Sequence, residues 1–286
     1  MSTDETFRCR ETLRVRWSEI DSQNIVFNAH YLTYFDTGIA AYWRALALPY
    51  ATTMQALGGD VFLRKASLEY HASARYDDRI EVGVRCARIG TSSLLFHAQV
   101  RRGRERLVSG ELVYVFADPA SQTSRPVPAP LREVFLGFEA GQAMLDVRTG
   151  SWQALGDAAR TLREAVFIGE QRIPVEMEWD AADEHALHAV AFNRMDSPIA
   201  TGRLVDAGDG CMQIGRMAVV RGLRGTGVGG AVLDALVDAA RTRSARRVML
   251  NAQVDAIGFY ARAGFAPQGE PFDEAGIAHQ AMQRDL

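Results

Sequence analysis

The order of hydrophobic and polar positions predicts one helix followed by four strands in the first part of the chain. Apolar side chains recur every three or four positions between Leu32 and Leu46, which is the spacing of one buried helix face ending before Pro49. Four segments rich in β-branched and aromatic residues follow, so we expect an antiparallel sheet packed on a helix. The predicted elements are a strand at Leu13–Trp17, a helix through Leu32, Phe35, Ile39, Trp43 and Leu46, and strands at Val61–Tyr76, Arg79–Ile89, Ser92–Arg102 and Arg106–Ala117.

A proline-rich segment separates this block from a second one. Residues 117–130, ADPASQTSRPVPAP, hold four prolines, which exclude the interior of a sheet or helix. We therefore predict a first domain at residues 1–135, a linker, and a second domain of α/β character with a mixed sheet at residues 141–286. Its predicted strands are Met144–Arg148, His185–Phe192, Ile199–Asp206, Gln213–Val220 and Arg247–Ala252, and its predicted helices are Trp152–Phe167, a stripe of Val228, Val232, Leu236 and Ala240, and Ala256–Ala263.

Composition narrows the function classes. The 286 residues include 32 basic and 35 acidic side chains, and this balance gives no global electrostatic reason to bind nucleic acid or an anionic membrane. Cys9, Cys86 and Cys211 share no CxxC spacing, which disfavours a thiolate zinc site and a disulfide framework and fits a reducing cytoplasm. His185 and His188 have no further ligands nearby, so no metal site is predicted. The polar start MSTDETFRCRE does not have the pattern of a signal peptide, and no run of 18 apolar residues predicts a membrane span.

A glycine-rich turn, RGLRGTGVGG at residues 221–230, follows a predicted strand and precedes a predicted helix. Glycines let several N–H groups point at one spot, and a helix N-terminus adds partial positive charge, so the turn predicts a phosphate site. The spacing Gly225-x-Gly227-x-x-Gly230 satisfies the dinucleotide pattern of Rossmann folds. That fold requires an acidic residue after the next strand, where this chain has Asn251 and Gln253, and we therefore disfavour it.

The same turn, written Arg224-x-x-Gly227-x-Gly229, resembles the pyrophosphate loop of the GCN5-related N-acetyltransferases, the GNAT family. Segment 251–265, with Tyr260 shortly before Gly264-Phe265, resembles the last conserved segment of that family, and segments 172–180, 215–219 and 274–279 resemble one bacterial subgroup. The resemblance covers residues 141–286 and implies acetyl transfer from acetyl-CoA to an amine. It implies a pantetheine contact through Met217, Ala218 and Val219, pyrophosphate binding by Arg224, Gly225, Thr226, Gly227, Val228, Gly229 and Gly230, a contact by Gln253, and Tyr260 as general acid.

The residues that would serve the acceptor amine are less defined. Without the resemblance, a tyrosine on a short helix such as Tyr260 is more often a packing aromatic than a catalytic residue. Glu176, Glu178, Asp180, Asp183 and Glu184 form an acidic run. One of these carboxylates could take the proton of the amine, or the run could attract a cationic acceptor. The alternative is a solvated loop with no part in the chemistry.

The segment RWSEIDSQNIVFNAHYLTYF, residues 16–35, places Asp21 in a turn before a hydrophobic helix that we expect to begin near Asn28. A carboxylate beside free helix N–H groups can attack a thioester or activate water, although an aspartate in a turn is usually only a cap. With Ile25-Val26 and Tyr31, the segment resembles the hotdog-fold acyl-CoA thioesterases of the 4-hydroxybenzoyl-CoA thioesterase type, over about residues 8–135.

This second resemblance implies Asp21 as nucleophile or general base, the backbone amide of Asn28 as the group that polarises the thioester, and a weaker role for Tyr31. The chain departs from the family pattern at Asn24, where glycine is common, and at Asn28, where the subgroup often has histidine. Asparagine tolerates positive φ, so the turn can be kept.

Together the patterns predict a cytoplasmic α+β protein, a hotdog domain followed by a GNAT domain, that hydrolyses an acyl-CoA and acetylates a small amine. Coenzyme A and its esters are the expected substrates, and the hotdog domain implies a homodimer or homotetramer. One alternative is acetyl transfer alone, with the hotdog domain serving dimerisation. The other is a CoA-binding sensor or scaffold without catalysis.

Overall fold

The computed structural model describes residues 6–274 and 276–286, which form two compact units with a division between Met144 and Leu145. Residues 1–5 of the polar start and Ala275 of the segment 274–279 lie outside the described residues. Among the described residues, no helix is long and apolar enough to cross a lipid bilayer.

The first unit is a five-stranded antiparallel sheet with a long helix against it, which confirms the predicted hotdog architecture. The strand order is β1-β3-β4-β5-β2, so β1 and β2 are the two edges. Its elements are β1 (Cys9–Arg14), α1 (His30–Ala45), α2 (Tyr50–Leu57), β2 (Asp60–Tyr70), β3 (Arg79–Ile89), β4 (Ser93–Arg102), β5 (Glu105–Ala117) and α3 (Ala129–Glu139).

Helix α1 forms the centre of this unit because its apolar stripe faces the sheet. Phe35, Ile39 and Trp43 are buried, as their spacing predicts, whereas Leu32 at the start of the stripe is 41% exposed. The helix crosses the sheet closely at Gly38, where an added Cβ would lie 2.7 Å from Val84 Cγ2. The backbone of α1 is thereby fixed against β3, which sets the position of the N-terminus of the helix.

Some predicted boundaries in this unit were wrong, and the strand expected to run to Tyr76 ends at Tyr70. Strand β1 begins at Cys9 and ends at Arg14, because its pairing with β3 ends at the Arg14–Arg79 pair, and Trp17–Glu19 form a 3₁₀ turn instead. The proline-rich segment leads into helix α3 rather than into a linker. Proline is favourable in a first helical turn, and Phe135 of α3 is buried and stacks on Tyr42 at 5.6 Å.

The second unit is an eight-stranded mixed sheet with helices, as predicted for the GNAT architecture. Seven strands follow the order β11-β13-β10-β9-β8-β7-β6, and β12 pairs with β13. The elements are β6 (Leu145–Gly150), α4 (Trp152–Arg163) continued by a π-helical segment (Glu164–Glu170), α5 (Val175–Glu178), β7 (Leu187–Asn193), β8 (Pro198–Gly208), β9 (Cys211–Val219), α6 (Val228–Thr242), β10 (Arg247–Gln253), α7 (Ile257–Arg262), β11 (Ala266–Pro267), β12 (Phe272–Glu274) and β13 (Ile277–Asp285).

Strands β9 and β10 are parallel neighbours that separate partway along their length. They pair only at Cys211, Met212 and Gln213 of β9 among the described residues, while β9 continues along β8 and β10 continues along β13. Beyond Gln213, β9 therefore has a strand on one side and an opening on the other. One row of its backbone N–H and C=O groups is left for another partner.

Candidate functional sites

A cavity of about 280 Å³ lies where β9 and β10 separate. One wall is formed by Gly215, Arg216 and Met217 of β9, and another includes Gln253 at the end of β10 and Tyr260 of α7. The structure thus brings together three of the positions predicted to bind the coenzyme or catalyse transfer, Met217, Gln253 and Tyr260.

A β-bulge shapes the β9 wall. Thr201 pairs with Ala218 and Arg203 pairs with Gly215, so one residue of β8 opposes two of β9 between these pairs. Arg216, in the bulge, has a φ of +54°, an unusual value for a long side chain. The bulge ends the regular ladder just where the cavity opens.

The glycine-rich turn stands at the end of β9. Gly225 and Gly227 have φ values of +79° and +92°, which glycine adopts without strain. A Cβ added at Gly225, Gly227 or Gly230 would meet no atom within 4 Å, whereas one at Gly229 would lie 3.1 Å from Val219 Cγ2. Helix α6 starts at Val228, and the N–H groups of its first turn have no intrahelical acceptor. An open backbone surface at a helix N-terminus is suited to a pyrophosphate group.

Two of the predicted contacts are already paired within the protein. Both oxygens of Glu170 accept hydrogen bonds from Arg224, at 2.5 and 2.8 Å, and these bonds hold the pKa of Glu170 below its usual value. The amide group of Gln253 is hydrogen-bonded to that of Gln171 at 3.2 Å. The guanidinium of Arg224 therefore orders the turn, and Gln253 is held on the cavity wall.

Tyr260 is buried in α7, with its ring edge-on to Phe259 and Phe265 at centroid distances of 4.8 and 6.1 Å. It is both a packing aromatic and a cavity residue, so the two interpretations of the sequence are compatible. Burial raises the pKa of Tyr260 to about 12, which keeps its hydroxyl protonated at neutral pH. A protonated phenol beside a leaving thiolate can act as its acid.

The alternative of a solvated loop was wrong for two members of the acidic run, Glu178 and Asp183. Glu178 and Asp183 are buried against Arg163, at 2.5 and 2.7 Å, and Arg163 is itself only 1% exposed. Arg203 joins Asp183 to Asp180, at 2.8 and 2.6 Å. Buried carboxylates persist because each has a cationic hydrogen-bond partner. His188 is part of the same region, where its Nε2 lies 2.9 Å from the Asp183 carbonyl oxygen.

Glu178 differs from the other carboxylates of this network because it lines the cavity. Burial raises the pKa of Glu178, and the hydrogen bond from Arg163 only partly opposes this effect. By contrast, Arg203 holds the pKa of Asp180 below its ordinary value. Burial acts to raise the pKa of Asp183, but hydrogen bonds from Arg163 and Arg203 outweigh it and the pKa is lowered. Glu178 is thus the member best suited to exchange a proton.

In the first unit, Asp21 lies in a tight turn before α1. Its Oδ1 accepts a hydrogen bond from the Gln23 N–H at 2.8 Å, and its carbonyl oxygen accepts one from Asn24 N–H at 3.0 Å. Asn24 has a φ of +60°, so asparagine supplies the left-handed residue where the family commonly has glycine. The Asp21 side chain is half-buried, so it contacts the turn and is also partly exposed to solvent.

Helix α1 begins at His30, two residues after the predicted start at Asn28. The backbone N–H of Asn28 donates to no acceptor in the described part of the chain, so it remains available to a carbonyl oxygen. Tyr31 is buried, and its hydroxyl accepts a hydrogen bond from Ala74 N–H at 2.9 Å. Burial also raises the pKa of Tyr31. This tyrosine anchors the loop at Ala74 to the first turn of α1, which is a positioning role.

Exposed aromatic residues surround this turn. Trp17 is 74% exposed and packs edge-on against Tyr76 at 5.4 Å. Tyr70 of β2 is also exposed, and its hydroxyl donates to the Asn28 carbonyl oxygen at 3.2 Å. The free edge of β2 adds the exposed side chains of Phe62 and Leu63. Phe62, Leu63 and Tyr70 thus place large exposed apolar groups along the free β2 edge, a pattern typical of a surface that another molecule covers.

Comparison with known proteins gives matches to each unit. Residues 158–286 match the family model described as an acetyltransferase (GNAT) domain. The chain is 36% identical over 125 residues to an uncharacterized N-acetyltransferase, YjcF of Bacillus subtilis, and the aligned region covers 88% of that protein and 43% of this chain. The chain belongs to the GNAT acetyltransferase family.

The GNAT unit is similar also to Escherichia coli ElaA, whose crystal structure matches at 27% identity with a TM-score of 0.45, covering 99% of ElaA and 49% of this chain. Residues 23–109 match the thioesterase superfamily model. The crystal structure of a 1,4-dihydroxy-2-naphthoyl-CoA thioesterase from Synechocystis matches at 14% identity with a TM-score of 0.42, covering 96% of that chain and 46% of this one. The family models thus assign residues 23–109 to a thioesterase-superfamily domain and residues 158–286 to a GNAT domain.

The network of arginines around the acidic run was missed by the sequence reasoning. Arg163, Arg203 and Arg216 lie on α4, β8 and β9, far apart in the sequence, and converge on Glu178, Asp180 and Asp183. The available signal was an arginine within a predicted buried strand, at Arg203, because a buried cation requires an anionic partner.

Proposed function

We propose that the protein is a bifunctional acyl-CoA enzyme, in which the GNAT unit transfers an acetyl group from acetyl-CoA to a small amine and the hotdog unit hydrolyses an acyl-CoA. The observation that carries the first activity is the opening between β9 and β10, which runs towards the glycine turn and has Tyr260 in its wall. Both activities use CoA thioesters as substrates, and neither mechanism needs a metal ligand from this chain.

In the GNAT unit, the pantetheine arm would pair with the free backbone groups of Met217, Ala218 and Val219 as an added strand. The pyrophosphate would rest on the backbone from Gly225 to Gly230. The amine nitrogen bonds to the thioester carbonyl carbon, and the carbon–sulfur bond breaks. Glu178 takes the proton that the amine must lose, and Tyr260 gives a proton to the leaving thiolate.

In the hotdog unit, the Asn28 N–H would polarise the thioester carbonyl, as a backbone donor does in an oxyanion hole. Asp21 then acts in one of two ways. It takes a proton from a water whose oxygen bonds to the carbonyl carbon, or it bonds to that carbon itself and water later releases the acid. In both cases the carbon–sulfur bond breaks and free CoA leaves.

A homodimer, or a tetramer built from dimers, completes this proposal. The exposed aromatics beside Asp21 and the free β2 edge are what a second copy would cover. The alternatives, acetyl transfer alone or CoA binding without catalysis, predict no thioester hydrolysis. Location in the cytoplasm belongs to the same proposal, since CoA esters are its substrates.

A crossed experiment tests both activities. Asp21→Asn is expected to abolish release of free thiol from a panel of acyl-CoAs without an amine, and to leave acetyl transfer unchanged. Tyr260→Phe is expected to lower acetyl transfer by about 10²-fold while retaining CoA affinity and hydrolysis. If wild-type protein hydrolyses no member of the panel, the hotdog unit serves only assembly; if Tyr260→Phe turns over normally, Tyr260 has no part in the mechanism.

A further inference from the structure

Two buried hydrogen-bond donors on the cavity wall have no hydrogen-bond acceptor among the residues that the structure describes. The Nε atoms of Arg203 and Arg216 are buried, and neither donates a hydrogen bond to any described residue. Both side chains line the cavity, and that of Arg203 is nine-tenths buried. An unsatisfied buried donor of a charged group is costly, so such a donor on a cavity wall indicates an acceptor atom supplied by a ligand.

The guanidinium groups of Arg203 and Arg216 bind the same carboxylate, that of Asp180. Arg203 binds Asp180 through Nη1 and Nη2, at 2.6 and 2.8 Å, and Arg216 binds the same carboxylate through Nη2 at 3.1 Å. Asp180 does not line the cavity. It therefore anchors the Nη groups, while the Nε–H of Arg216 reaches no closer than 3.7 Å to a carboxylate oxygen, that of Glu178.

Charge balance indicates what kind of acceptor atom fits. Arg163, Arg203 and Arg216 face Glu178, Asp180 and Asp183, three cations against three anions. When Glu178 takes the proton that the acceptor amine loses, the network gains one positive charge. A ligand carboxylate would balance it, and charge-assisted hydrogen bonds from arginine favour that group. Glu274 and His279 also line the cavity and belong to its remaining wall.

We infer that the acceptor of the GNAT unit is an amino acid or a similar amine with a nearby carboxylate, which accepts hydrogen bonds from the Nε–H groups of Arg203 and Arg216. This inference rests on the proposed acetyl transfer and adds the class of acceptor. The strained backbone at Arg216 has a role in this site, because the bulge presents its side chain to the cavity beside Arg203.

The test uses the full chain, with acetyl-CoA and pairs of acceptors that differ only in the carboxylate, such as alanine and ethylamine, phenylalanine and phenethylamine, or histidine and histamine. Release of CoA thiol gives kcat/KM for each acceptor. We expect at least one amino acid to exceed its carboxylate-free partner by about 100-fold, since two charge-assisted bonds are lost with the group. Ligand-observed NMR on the CoA-loaded protein measures acceptor binding independently of turnover.

A variant locates the effect. Arg216→Gln is expected to raise KM for the preferred amino acid by about tenfold, with little change in kcat and in CoA affinity, because it removes one donor and leaves Tyr260 and the glycine turn intact. Arg243→Gln, at the far end of α6, is the matched control and should leave KM, kcat and CoA affinity unchanged.

Three results would overturn the inference while leaving acetyl transfer in place: equal or faster acetylation of the carboxylate-free amines, equal losses for both acceptor classes in Arg216→Gln, or no binding of any amino acid to the CoA-loaded protein at roughly 10 mM. Failure to bind acetyl-CoA at all would instead refute the proposed function itself, and this measurement separates the two.

Discussion

Replacing Arg163 with leucine should destabilise the GNAT unit strongly. Arg163 donates three hydrogen bonds, to Glu178 Oε1 at 2.5 Å, to the Glu178 carbonyl oxygen at 2.7 Å and to Asp183 Oδ1 at 2.7 Å. Removing one partner of a buried ion pair costs about 3–5 kcal/mol because a buried charge loses its compensation. Asp183 retains Arg203 at 2.8 Å, and Glu178 can take a proton, so we expect the lower end of that range.

Arg160 provides a matched control on the same helix. It is exposed, and its Cζ lies 5.6 and 5.2 Å from the ring centroids of Trp152 and Trp179, the same two rings that Arg163 approaches. Arg160→Leu therefore removes a cation from these rings without breaking a buried ion pair. The expected loss is about 0.5–1 kcal/mol, the range for exposed cation–π contacts.

The free energy of unfolding of this unit alone is measured by urea titration, with hydrogen–deuterium exchange of peptides from β7 and β8 as the probe of unfolding. Fluorescence would mix the units, because each holds two tryptophans. For Arg163→Leu, a loss of about 3 kcal/mol corresponds to roughly a 100-fold change in the unfolding equilibrium. The loss should shrink as the pH falls, because Glu178 and Asp183 then become neutral. Equal losses for the two variants at pH 7 would refute the ion-pair reasoning.

Three further outcomes are expected. Gly227→Ala and Gly208→Ala each place an alanine at positive φ with open space around it, so both should lose about 1–2 kcal/mol of stability, but only Gly227→Ala should weaken CoA binding in calorimetry. Acetyl transfer should fall as the pH drops through the raised pKa of Glu178, at a higher pH than for an ordinary glutamate. If the rate of the Glu178→Gln variant falls at low pH in the same way as that of the wild type, Glu178 is not the base. In sedimentation the chain should be a dimer or larger; Leu63→Glu on the β2 edge should dissociate it and Leu136→Glu on α3 should not, whereas a wild-type monomer at micromolar concentration would contradict the shared hotdog surface.

Local patterns predicted most of the elements because they reflect local physics. The apolar spacing of α1 and α6 and the alternation in β3, β4 and β5 each report one buried face. Helix α3 was missed because its prolines suggested a break, although a proline in a first turn is compatible with a helix. The short strands after residue 265 carry too few residues for any periodicity, and they form only by pairing with β13.

In the candidate sites, too, locally determined features could be predicted from the sequence and long-range contacts could not. Positions in one local turn, such as Gly227 or Asp21 with Asn24, could be predicted because spacing and glycine content specify the backbone there. The ion-pair network beside the cavity could not be predicted, since Arg163 of α4 and Arg203 of β8 meet the carboxylates of Glu178 and Asp183 only in the folded unit. Long-range ion pairs leave no periodic trace in a single sequence.

The separation of β9 and β10 has a consequence for how the protein melts. A coenzyme lying along β9 would fill a seam in the sheet that the free chain leaves unclosed. Because such a ligand binds only the folded form, a free coenzyme concentration of 100 times its Kd would add about 2.7 kcal/mol to the unfolding free energy of this unit. Calorimetric scans with rising coenzyme would then show the transition of the C-terminal unit moving to higher temperature, which assigns that peak without cutting the chain.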